Sequence, residues 1–155
     1  MGKVVADVLP PDLYDLLGNR DLEKKANKVI VFTTVDEDGF PRHGMLSTYE
    51  IFAKDTKKLV MILYATSKST QNILRSGKVS FLVVDEDISY YIRAGAIQGP
   101  PLASSPSEIF FEITVKDVID DKQPMAKITS GITFGGYPSK MEESRLKVFS
   151  ELLTR

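Results

Sequence analysis

Residues 65–70, Ala65-Thr66-Ser67-Lys68-Ser69-Thr70, gather four hydroxyls and one ammonium into a single polar turn. The turn follows an apolar β-like run at 59–64 and opens a short amphipathic segment carrying Ile73 and Leu74, after which Lys78-Val79-Ser80 begins another strand. A helix cannot satisfy its own first N–H groups, and its dipole is positive at that end, so such a turn is receptive to an anion. Hydroxyl donors beside Lys68 form the set that a phosphate monoester needs. The same residues also suit a plain helix start, with Ser67 or Ser69 as N-cap and Lys68 in solvent. The surrounding chain has to decide between the two.

Other chemistry is sparse. The chain of 155 residues has no cysteine and one histidine, which excludes disulfides, thiolate metal sites, cysteine nucleophiles and His-rich metal clusters. No metal site is expected. His43 invites a catalytic reading, since histidine is the side chain type that can change charge near neutral pH, but no second group beside it completes an acid–base pair. Asp36-Glu37-Asp38 and Asp85-Glu86-Asp87 lack the ligand spacing of a calcium loop and suit solvated turns. Gly135-Gly136 has no nucleotide-loop context. A net charge of −1 provides no field for nucleic acid or an anionic membrane. No apolar run approaches a membrane span, and Asp7 interrupts what a signal peptide would need, so a cytoplasmic location is expected. The length and the 43% hydrophobic content suit one domain over 1–155.

The elements that must position the turn follow from periodicity. Pro10-Pro11-Asp12 with Leu13, Leu16 and Leu17 forms a short helix stopped at Gly18-Asn19, and 21–28 adds a helical turn or two. Residues 29–35 are β-branched and aromatic, hence a strand, and Asp38-Gly39 supplies the hairpin turn. Residues 41–53 return as a strand or two with a kink. Strands are expected at 59–64, 78–84, 88–97 and 109–119, with Gly95 marking a bulge or a close backbone approach. Residues 99–107 form a loop, 132–134 a weaker strand, and Ser139 with Glu142 a capping box for a helix to the C-terminus. Met141, Arg145, Phe149 and Leu152 share a stripe on that helix, beside Val148 and Leu153. Short β runs with helices at the ends and one in the middle argue for a mainly antiparallel sheet closed into a small barrel.

Three pieces in this order resemble the pyridoxamine 5′-phosphate oxidase-like FMN-binding split barrels: VIVFTTVDEDGFP from Val29, RHGMLS from Arg42, and SKSTQNILRSGKVS from Ser67. YYIRAGA, from Tyr90, is similar to the family strand that ends in glycine. The resemblance implies a mainly β (α+β) fold, an antiparallel split barrel of about six strands with short peripheral helices. Residues 1–28 would be an N-terminal helical segment, 29–134 the barrel and 139–155 the C-terminal helix. It further implies an FMN-binding homodimer with each flavin at the subunit interface, acting as a flavin-dependent oxidoreductase on a small molecule.

Carried over by position, Arg42 and Lys68 would face the phosphate, and Thr66, Ser67 and Ser69 would lie in its turn. Met45 and Leu46 would lie beneath the ring, with His43 and Ser47 on the same strand. Ile62 and Leu63 would pass the ribityl chain, and Asn72 would brace the loop. Ser47 and Ser69 stand where the oxidase itself tends to have a second cation, and its substrate-gripping C-terminal segment is not recognisable. The resemblance is therefore to a small member and not to that oxidase. Two other cofactors fit the family: a deazaflavin coenzyme, or haem in a non-enzymatic protein with His43 as axial ligand. Tyr90, Tyr91 and Arg93 suit packing or ion pairing better than ligand contact.

Overall fold

Every strand-to-strand ladder in the computed structural model, which describes residues 2–136 and 139–154, is antiparallel. The chain runs β1 (Lys3–Ala6), α1 (Pro11–Leu17), α2 (Leu22–Lys25), β2 (Ile30–Val35), β3 (Pro41–Leu46), β4 (Ile51–Ala53), β5 (Lys58–Tyr64), α3 (Lys68–Ser76), β6 (Lys78–Asp85), β7 (Ile88–Gln98), β8 (Glu108–Asp120) and α4 (Ser139–Leu153). The sheet order is β3-β2-β6-β7-β8-β5-β4, with β1 also paired to β8. Its two end strands, β3 and β4, are joined only by residues 47–50. That short link forces the sheet to curl until its ends meet, which produces the split barrel and shields what would otherwise be open edges.

The β2–β3 hairpin forms because Gly39 adopts φ of 90° and Asp36 exchanges backbone bonds with Phe40 and Gly39 at 2.9 Å. Alternation in β2 sends Ile30, Phe32 and Thr34 inward. Ile30 and Phe32 join Leu46, Leu59, Met61, Phe81, Ile92 and Ile113 in the barrel core. β4 and β5 are buried on both faces, because a second cluster lies outside the barrel. There Phe52, Val60, Ile62 and Phe110 meet Val148, Phe149 and Leu152 of α4. Phe52 and Phe149 pack at 4.8 Å between ring centroids. α1 seals the barrel with Leu13 and Leu17.

Several sequence expectations need correction. Among the described residues the sheet has eight strands where about six were expected: 41–53 divides into β3 and β4, and β1, too short to show a period, lies in the 1–28 segment expected to be helical. Residues 132–134 make one isolated bridge, Lys28 to Thr133, and no strand. The β7–β8 irregularity falls between Arg93 and Ala94, one residue before Gly95. On α4, Val148, Phe149 and Leu152 are buried, whereas Met141 and Leu153 are exposed. The capping box rests on the Ser139 side chain, which lies outside the described residues, as do Tyr137, Pro138 and Arg155.

Candidate functional site

The helix following the polar turn starts at Lys68, with Ser67 as its N-cap in extended conformation. Ser67 Oγ accepts from the Thr70 N–H at 3.1 Å, and Thr70 Oγ1 donates to the Tyr64 carbonyl at 2.7 Å. These bonds lash the end of β5 to the first turn of α3. The Gln71 N–H reaches Ser67 O. That leaves the N–H groups of Lys68 and Ser69 as the unshared donors of the helix start. Gly77 closes the helix in the left-handed region, φ 67°. Lys68 is exposed and makes no ion pair or hydrogen bond among the described residues, and Ser69 is buried. Thr66 is exposed at the rim of the turn.

Beside this start lies a cleft of about 430 Å³ lined by Asp36, Glu37, Asp38, Lys68, Asn72 and Arg75. Its wall is a hydrogen-bonded network between the β2–β3 turn and α3. Arg42 donates two parallel bonds to Asp36, from Nε at 2.7 Å and Nη2 at 2.9 Å. Asn72 Nδ2 donates to the same Asp36 carboxylate at 2.7 Å and to Thr34 Oγ1 at 3.0 Å. Arg75 Nη2 donates to Asn72 Oδ1 at 2.9 Å and to the Val35 carbonyl at 2.6 Å. The Arg42 guanidinium, then Asn72, holds Asp36 down at about 2, and its charge-assisted bonds raise Arg42 in turn.

The expected site residues separate into two groups. Arg42, Lys68, Asn72, Ser67 and Ser69 gather around the start of α3 and the hairpin turn. Arg42, expected to face a phosphate, spends its fork on Asp36. Asn72 braces the hairpin turn at 36–39 in place of the loop before α3. On β3, neighbouring side chains point to opposite faces. Met45 is 59% exposed, whereas Leu46 is 1% exposed within the barrel core, so the two do not share a ring-binding face. His43 is exposed on the Met45 side, with Nδ1 2.9 Å from Thr33 Oγ1. Ser47 is fully buried and directs both N–H and Oγ to Glu50 Oε1 at 3.1 Å. Ile62 belongs to the α4 cluster and Leu63 to the barrel core. Leu46, Ser47, Ile62 and Leu63 therefore offer a ligand backbone atoms and no side chain.

Sequence reasoning missed Asp36, which it placed in a solvated turn. The available signal was cross-hairpin spacing: Thr34 pairs with Arg42, so an acid at 36 lies within reach of the guanidinium. Arg75, one turn beyond Asn72, went unremarked for the same reason. Tyr91 and Arg93 are occupied by Asp121 and by Asp117, the latter through a bidentate pair whose Nε bond is 2.8 Å.

The outer sheet face carries one apolar row across six strands. Directly paired residues Met45, Val31, Leu82, Tyr91, Ile119 and Val4 run from β3 to β1. No helix of the described residues is long and apolar enough to cross a membrane.

No protein-family model matches the chain. A curated relative, the uncharacterized protein YclD of Bacillus subtilis (strain 168), is 31% identical over 144 residues, covering 92% of this chain and 94% of its own. Among solved structures, a candidate pyridoxamine 5′-phosphate oxidase of Lactobacillus delbrueckii superposes with a TM-score of 0.61 at 21% identity, over 76% of this chain and 98% of its own. An F420 reductase superposes with a TM-score of 0.54 at 16% identity, over 71% of this chain and 98% of its own. Both share the curled antiparallel sheet described above.

Proposed function

Because the chain belongs to the family of Bacillus subtilis YclD and has the split-barrel fold of the pyridoxamine 5′-phosphate oxidase-like proteins, we propose that it binds FMN and serves as a flavin-dependent oxidoreductase for a small molecule. The observation that carries this reading is the start of α3: an uncommitted Lys68 beside two unshared helix N–H groups, at the mouth of a cleft of about 430 Å³. That donor set suits a phosphate. Lys68 supplies charge, the N–H groups of Lys68 and Ser69 supply direction, and Thr66 lies at the rim. Each charge-assisted bond contributes roughly 1.5–3 kcal/mol.

The flavin supplies the electron and hydride chemistry, and the chain supplies binding, orientation and exclusion of water. The isoalloxazine would lie along the backbone of β3, on the face where His43 and Met45 are exposed. Thr33 fixes the His43 ring through Nδ1, which leaves Nε2 for a hydrogen bond with a bound ring or substrate, as donor or acceptor according to the tautomer. The apolar row on the outer sheet face supports a homodimer, since a second copy would remove it from water and complete the wall of the flavin site. A deazaflavin coenzyme is the second reading. It is favoured by the likeness to an F420 reductase and by the commitment of Arg42 to Asp36, which removes one cation from the anchor.

The test is the visible spectrum of purified protein before and after incubation with FMN, then with a deazaflavin. Yellow protein that releases FMN on denaturation supports the first reading. Retention of the deazaflavin alone supports the second, and colourless protein that takes up neither refutes both.

A further inference from the structure

A second cavity, on the outer sheet face, gathers cations without acids. It holds about 410 Å³, and Ser76, Lys78, Ser80, Arg93, Gly95 and Lys116 line it, with no acidic side chain in the lining. The chain as a whole carries a net charge of −1, so the excess is local. Arg93 is committed to Asp117, through Nε at 2.8 Å. The Lys78 and Lys116 ammonium groups make no ion pair or hydrogen bond among the described residues. Lys58 adds a further cation at the far end of the paired row Lys78, Gly95, Thr114, Lys58, with Nζ donating to Thr114 Oγ1 at 2.6 Å. Glu112, the outward residue beyond Thr114 on β8, lies outside the lining.

Two backbone features build this cavity. Arg93 pairs with Asp117 and Ala94 with Val115, so Lys116 is the extra residue of a β-bulge. Regular alternation after the buried Val115 would turn Asp117 inward. The bulge lets Lys116 and Asp117 both face outward and returns Val118 to the core. It therefore sets one more cation beside an ion pair that is already neutral. The second feature is Gly95. Its φ lies outside the left-handed region, and a Cβ there would meet Gly77 O at 3.7 Å, an ordinary contact. The fold accepts a side chain at 95, and a glycine weakens a strand interior. What the glycine supplies is open floor beside Lys78 and Lys116. The negative end of the α3 dipole accounts for one cation at Lys78, but not for Lys116 or for the bare floor.

We propose that this cavity binds a small doubly charged oxyanion, a dicarboxylate or a phosphate monoester, held by Lys78 and Lys116 over the backbone of Gly95. Two ammonium groups match its two charges, and lysine, as a point charge, serves carboxylate and phosphate alike. Ser80 adds a hydroxyl donor. The cavity lies at the opposite end of α3 from Lys68, and its Lys78–Gly95 row is two outward rows from the apolar row through Leu82, Tyr91 and Ile119. The inference therefore goes beyond the flavin reading and does not depend on it.

The experiment titrates the full chain with succinate, inorganic phosphate and acetate at pH 7.5 and constant ionic strength, following amide shifts. Succinate or phosphate should give saturable shifts centred on Lys78, Gly95 and Lys116, and acetate should bind about tenfold more weakly or worse. Whichever dianion binds tighter identifies the ligand class. Lys78→Gln and Lys116→Gln should each weaken the dianion about tenfold, whereas Lys24→Gln, on the exposed face of α2, should change nothing. Gly95→Leu fills the cavity with both lysines in place and should abolish the shifts; should it not fold, the lysine variants decide. Shifts at Lys68 and Ser69 are read separately and should ignore Lys116→Gln. Non-saturable shifts, equal binding of acetate and the dianions, or wild-type affinity in Gly95→Leu or in both lysine variants overturns the proposal.

Discussion

Replacing Glu108 by alanine should be among the most damaging single changes in the chain. Glu108 Oε1 accepts from Arg145 Nη1 at 2.6 Å and from Ser105 Oγ at 2.7 Å. The two charged side chains are only 8% and 12% exposed. Among the described residues, Arg145 Nε and Nη2 are buried with no hydrogen-bond partner, so the pair meets the desolvation of the guanidinium there with one ion-pair contact. Removing Glu108 strands that charge completely, at a cost of about 3–5 kcal/mol. For a domain of this size that lowers Tm by roughly 10 °C.

The companion prediction has the opposite sign. The double change Glu108→Leu with Arg145→Met removes the charge problem and should recover most of the loss, or exceed wild-type stability by about 1–4 kcal/mol. Urea unfolding of the three proteins at pH 7 measures both effects. A Glu108→Ala cost below about 1 kcal/mol, or a double variant no more stable than the single, would refute the reasoning. The consequence reaches the anchor turn. Glu108 pairs in register with Tyr64, and the Ser107 carbonyl accepts from the Ala65 N–H at 3.0 Å, so loosening α4 loosens the segment that leads to Ser67.

Tyr90→Phe should cost about 1.5–3 kcal/mol, because its hydroxyl donates to the Asp12 carboxylate at 3.1 Å and pins α1 to the sheet. Burial first, then Asp12, raises Tyr90 to about 12, so its contribution is complete below the unfolded value near ~10 and is lost as pH rises through about 12. Unfolding midpoints across that range show the loss in wild type and not in the variant. Gly44→Ala should cost about 1–3 kcal/mol by overpacking, since a Cβ there would run into the buried Phe32 ring. Asp36 is depressed to about 2, so its stabilising effect is present above about pH 4 and fades as pH falls through about 2. The stability gap between wild type and Asp36→Asn should therefore shrink on acidification, as read by urea midpoints at several acid pH values.

The polar turn and its helix were legible because their signals are local: an apolar run, an N-cap serine, and a glycine closing the helix. The hairpin at Asp38-Gly39 and the long strands β7 and β8 were legible for the same reason. β1 was not, because four residues are too short to display a period and it forms on the template of β8, whereas β4 was legible only as the second part of a kinked run at 41–53. The face on which each β3 residue lies was recoverable from alternation. Which face is buried was not, since Leu46 and Met45 differ only in what the closed barrel puts against them. The commitment of Arg42 was hidden because an Asp in a polar turn looks solvated until the hairpin and α3 are folded together.

The central claim, that the start of α3 anchors the phosphate of a flavin, is tested most directly by the affinities of wild type and Lys68→Ala for FMN and riboflavin. Loss of one charge-assisted contact should weaken FMN roughly 10- to 100-fold and leave riboflavin unchanged. Equal losses for both flavins, or FMN binding that ignores the substitution, would contradict it.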